Sequence, residues 1–236
     1  MDHASRVDTV RREAAALAAA AEIAGLDAPV PSCPGWDVAE LLAHVGLVHR
    51  WARSVLAGER AVPAVEVPPG PQRPAWVVAG AIDLADALGA ADPHAPAWSW
   101  TDDRTAGFWA RRQAAETAVH RVDAELAAGE PGPVEREAAV DALDEFLAML
   151  TARREAPALP TAGSVHLHCT DGEGEWLVRL TGAGPVVTRE HAKGDVALRG
   201  AASDLLLVGY GRLAPDAVET LGDPDLARAF LSAVSW

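Results

Sequence analysis

The sequence predicts a mainly α chain that ends in a small α+β domain, and three observations carry that prediction. Ala, Leu, Glu and Arg, all strong helix formers, crowd the first two-thirds at helical spacing. A stretch rich in Ala and Pro, residues 156–163, then interrupts the chain. Beyond it the apolar period drops to that of half-buried strands. With 236 residues, of which 50% are hydrophobic, the chain can bury one large core or two small ones.

The first helix covers about Arg6 to Ile23, an alanine-rich segment. Pro29, Pro31, Pro34 and Gly35 then exclude regular structure. Asp37 reads as an N-cap, with Glu40 three residues later completing a capping box. The second helix therefore runs from about Val38 to Ala57, with His44 in its second turn. A Pro/Gly-rich loop over 62–74 leads to a third helix, about Ala75 to Leu88. A second loop, 89–105, holds Trp98 and Trp100. The fourth helix covers about Ala106 to Ala128 and stops at Gly129. A shorter fifth helix, about Glu135 to Thr151, completes a helical domain expected over residues 1–155.

The second domain is expected over 163–236. Ser164 to Thr170 alternates as a strand, Asp171-Gly172-Glu173-Gly174 signals a hairpin, and Glu175 to Leu180 is its partner. Pro185–Glu190 and Asp195–Arg199 add two strands. A helix over Ala202–Tyr210, a short strand over Ala217–Leu221 and a helix over Pro224–Val234 follow.

The formal net charge of −14 speaks against nucleic acid and anionic membrane surfaces as partners. An anionic substrate would need a local cationic clamp. No apolar run approaches the ~18–20 residues of a membrane span, and the N-terminus lacks the order of a signal peptide. Cys33 and Cys169 are far apart, so a reducing, cytoplasmic setting is expected.

Glu116 and His120 carry the clearest chemistry. At i and i+4 they stand one above the other on the fourth helix. His44, on another helix, would complete a His-Glu-His set with one coordination position open, as catalytic zinc sites have. The competing reading is a surface ion pair, with His44 a satisfied core residue. His49 lies about 140° around the helix from His44 and faces away. His166 and His168 share a strand face, but no partner is evident, so they read as strand surface or core. Asp123 either orients a ligand or pairs with Arg112, and the pairing is favoured. Trp36 and Trp109 read as packing, Trp98 and Trp100, on a loop, are the better candidates for a pocket wall, and Cys33 reads as a structural cysteine.

Pro31-Ser-Cys-Pro-Gly-Trp36-Asp37-Val-Ala-Glu40-Leu-Leu-Ala-His44 and Trp109-Ala-Arg-Arg-Gln-Ala-Ala-Glu116-Thr-Ala-Val-His120-Arg-Val-Asp123 resemble the mycothiol-dependent maleylpyruvate isomerase family. The segments Ala202 to Arg212 and Gly222-Asp223-Pro224 resemble the same family's C-terminal domain. The resemblance implies a DinB-like metal-binding four-helix bundle followed by an SCP2-like α+β domain. It implies His44, Glu116 and His120 as ligands of a divalent metal, zinc by donor type, and mycothiol as the thiol cofactor. Arg212 is implied as a catalytic arginine that binds substrate carboxylate, against the alternative of a surface arginine at a helix end. The activity implied is attack of an activated thiolate on a small electrophile, as cis–trans isomerase or S-transferase. The alternative is a non-catalytic metal-binding or regulatory protein of the same fold. The expected partners are that electrophile and the thiol, and the expected state is a monomer or homodimer.

Overall fold

The computed structural model describes residues 1–129, 131–152 and 159–234. It divides into two compact units, Met1–Val134 and Glu135–Trp236. The first is helical: α1 (His3–Ala24), α2 (Val38–Leu56), α3 (Arg73–Ala90) and α4 (Ala106–Ala128). Each helix packs on the others around a core that includes Leu17, Leu41, Leu42, Val45 and Val77. Alanine dominates the buried faces of α1 and α4, which keeps the helices close. At Gly46 an added Cβ would lie 2.0 Å from the Trp76 ring, so glycine is what lets α3 approach α2 there.

The second unit opens with a helix. The sequence assigned the fifth helix to the bundle, with a boundary after residue 155. Instead α5 (Arg136–Ala152) packs on the second unit's own elements. The reason is its apolar face: Phe146 meets the Tyr210 ring at 4.9 Å, and Asp144 accepts a hydrogen bond from the Trp176 indole at 2.7 Å. The expected linker at 156–163 lies partly outside the described residues.

Among the described residues five strands follow: β1 (Ser164–Cys169), β2 (Glu175–Thr181), β3 (Gly184–Thr188), β4 (Val196–Gly200) and β5 (Glu219–Gly222). Their order is β3-β2-β1-β4-β5, with β1 and β4 parallel and the other neighbours antiparallel. The last strand starts later than expected because Pro215–Ala217 forms a 3₁₀ turn. Strand register puts Val165, Leu167, Val178, Leu180, Val196 and Leu198 on one buried face. Helices α5, α6 (Ala202–Gly209) and α7 (Pro224–Val234) complete the unit. His166 and His168 point to the opposite face of the sheet. No helix among the described residues is long and apolar enough to cross a membrane.

Candidate metal centre

The capping box sets the start of α2. Asp37 accepts from the Glu40 amide at 2.8 Å, and Glu40 accepts from the Asp37 amide at 3.0 Å. That register turns His44 toward α4. The start of α4 is fixed by Thr105, which accepts from the Phe108 amide, and its end by Gly129 in the left-handed region (φ 87°). Arg121 holds the later part of α4 in place through Glu13 at 2.9 Å and the carbonyls of Gly132 and Pro133.

Between these helices His44, Glu116 and His120 converge. Nε2 of His44 is 3.1 Å from Oε1 of Glu116, and Nε2 of His120 is 3.2 Å from the same oxygen. The two imidazole centroids are 5.0 Å apart. A tetrahedral ion with bonds of ~2.0–2.1 Å sets its ligand atoms ~3.3 Å from one another. The observed spacing is close to that, so the donor set fits a zinc-class cation with little movement. Asp123 and Cys33 form a neighbouring group with His120.

The supporting contacts differ from the expected pairing of Asp123 with Arg112. Asp123 is fully buried and accepts from Nδ1 of His120 at 2.8 Å. Ser32 donates to its other oxygen at 2.5 Å, and the Cys33 thiol lies 3.5 Å away. Arg112 instead donates to Oε2 of Glu116. A carboxylate behind a histidine fixes its tautomer and orientation, which leaves Nε2 as the free donor. The i,i+3 spacing of His120 and Asp123 was the sequence signal for this contact.

Electrostatics point the same way. Burial opposes the charge on His120, but Glu116 and Asp123 outweigh it and raise its pKa to about 9. Burial likewise opposes the charge on Glu116, yet Arg112 and His120 hold it well below the usual carboxylate range.

Trp36 is part of this site rather than only core packing. Its ring lies 4.9 Å from His44 and stacks on His120 at 6.5 Å. Trp109 is core, as expected: it is fully buried and donates to the Trp98 carbonyl at 2.7 Å. Trp98 and Trp100 pack with Trp51 and Trp109, about two helical turns from His44 along α2 and about three from His120 along α4. Trp98 also lines an open pocket of about 290 Å³ with Arg60 and Arg104.

His49 does stay out of the cluster. It is fully buried and sits 3.0 Å from Thr117 Oγ1, which itself donates to the Gln113 carbonyl. Burial lowers its pKa to about 4. Arg212 belongs to the second unit, in the turn after α6, where it donates to the Tyr210 carbonyl at 2.7 Å.

Residues 7–125 match the family profile described as the mycothiol maleylpyruvate isomerase N-terminal domain, and residues 137–229 match that described as the MDMPI C-terminal domain. Two solved structures share the fold: a mycothiol-dependent maleylpyruvate isomerase (TM-score 0.61, 12% identity) and a histidine-to-alanine variant (TM-score 0.64, 11% identity). Each comparison covers 93% of this chain and 93% of the other. No curated protein matches the sequence.

Proposed function

Because this chain belongs to the mycothiol maleylpyruvate isomerase family, we propose that it is a metal-dependent enzyme using mycothiol as its thiol, with a small electrophile as substrate. The observation that carries this reading is the convergence of two Nε2 atoms on one Glu116 oxygen, backed by a buried carboxylate. His44, Glu116 and His120 would hold the cation, zinc by donor type. When bound, such a cation lowers a coordinated thiol's pKa and leaves it as a thiolate at neutral pH.

The chain's own residues prepare that centre. Asp123 keeps the His120 proton on Nδ1 and so keeps Nε2 free to coordinate. Arg112 takes up Oε2 of Glu116 and leaves Oε1 facing the two histidines. Trp36 lays an apolar ring beside both imidazoles. Arg212 is proposed to bind a substrate carboxylate, since its planar fork suits that group and a chain of charge −14 needs a cationic clamp. The reaction is proposed as cis–trans isomerisation of a maleylpyruvate-type substrate or S-transfer, carried out in the cytoplasm.

The test is turnover by the zinc-loaded protein with mycothiol and a panel of electrophiles, maleylpyruvate among them. Mycothiol-dependent turnover that is lost in Glu116→Gln is expected. Tight metal and thiol binding without turnover of any electrophile would replace the enzyme with a non-catalytic metal-binding protein.

A further inference from the structure

The face of the second unit's sheet away from its core carries a group that the proposed bundle centre does not use. His166 and His168 stand two residues apart on β1 and project together. Glu175 is paired with His168 across the β1–β2 ladder. His191 comes from the connection between β3 and β4, which folds back over this face. Glu190 anchors that connection, accepting from Arg179 at 2.8 Å and from Thr188 at 2.6 Å.

Three imidazole nitrogens meet one carboxylate oxygen. Oε2 of Glu175 lies 2.9 Å from Nε2 of His166, 3.2 Å from Nδ1 of His168 and 2.6 Å from Nδ1 of His191. The four ligand atoms all lie within 4.8 Å of one another. The ring centroids form a triangle with sides of 5.7, 5.9 and 6.4 Å, and the rings are steeply inclined to each other. His166 is buried, His168 and Glu175 are half-buried, and His191 is 81% exposed.

Hydrogen bonding alone accounts poorly for this convergence. One carboxylate oxygen offers about two lone-pair directions, fewer than the donors crowded on it. A divalent cation relieves that crowding, because neutral imidazoles and a carboxylate are its natural donors. Tetrahedral coordination at ~2.0–2.1 Å needs ligand atoms ~3.3 Å apart. Withdrawal of Oε2 by about 0.4 Å from His166 and about 0.7 Å from His191 would open that space.

We propose that His166, His168, Glu175 and His191 form a second metal site, for a zinc-class divalent cation. Four protein ligands fill a tetrahedron, which makes the site structural rather than catalytic. Its effect is to clip the β3–β4 connection onto β1 and β2. A cation bound only by the folded state stabilises that state by mass action.

The test is zinc stoichiometry and affinity of the full-length chain, read by competition with a chromophoric chelator. Two equivalents are expected for the wild type and one for His166→Ala/His168→Ala. His191→Ala serves as a second variant, because its exposed position leaves the strands intact. It should weaken one equivalent by at least ~10-fold and leave the other unchanged. In His44→Ala/His120→Ala, one equivalent should remain and should still raise the melting temperature. A wild type that binds one equivalent, lost in His44→Ala/His120→Ala and kept at full affinity in His191→Ala, would overturn the proposal. Two equivalents with unchanged affinities in His191→Ala would overturn it equally.

Discussion

Replacing Asp123 with Asn probes the buried support of the bundle centre. The side chain keeps its size and one oxygen acceptor, but it loses the charge that faces Nδ1 of His120 at 2.8 Å. Loss of such a partner behind a metal-binding histidine weakens the metal by ~10–100-fold, or ~1.4–2.7 kcal/mol. Protons oppose the metal as well. With His120 at about 9, its proton competes at neutral pH, and at pH 7 that competition alone lowers apparent affinity by ~100-fold. Removing Asp123 takes away part of what raises His120, so proton competition also weakens in the variant. The deficit of Asp123→Asn should thus be largest at pH 9 and above and should narrow toward pH 7. Zinc affinity by chelator competition from pH 6.5 to 9.5, with the His120 titration followed by NMR on the metal-free protein, measures both effects. Equal affinities at pH 9 together with an unshifted His120 would refute the role given to Asp123.

Three other changes have defined outcomes. His44→Ala or His120→Ala should abolish metal retention at the bundle centre while helicity persists, because alanine suits both helices; metal analysis and circular dichroism check this. His49, neutral and fully buried with its pKa at about 4, contributes stability that is present above the unfolded value near 6.5. That stability falls away as pH drops toward 4, by ~3 kcal/mol. Urea unfolding between pH 7 and 4 should show a steeper loss for the wild type than for His49→Gln, and parallel curves would contradict this. Gly46→Ala drives a Cβ to 2.0 Å from Trp76 and should cost ~1–3 kcal/mol in urea unfolding, with the α2–α3 contact forced apart.

Much of the fold was legible because its signals are local. The Asp37–Glu40 capping box, Gly129 and the alternation of Ser164–Cys169 each fix an element from a few neighbouring residues. The assignment of α5 was not legible in this way. Its helical period is clear, but which unit buries Phe146 and Leu143 depends on partners such as Tyr210, far along the chain. The same distinction holds for the sites. Glu116 and His120 are visible as an i,i+4 pair, whereas Trp36 beside the imidazoles requires the turn before α2 to fold back. The His166–His168 pair looked partnerless because Glu175 and His191 arrive only through a hairpin and a loop return.

The most direct measurement is a thiol titration of the cobalt-substituted protein, read in the near-ultraviolet. If His44, Glu116 and His120 hold a cation with an open position, mycothiol should produce a saturable thiolate-to-cobalt band. That band should be absent in His120→Ala and retained in His191→Ala. A cobalt-loaded wild type that shows no such band at saturating mycothiol would contradict thiolate activation at the bundle centre.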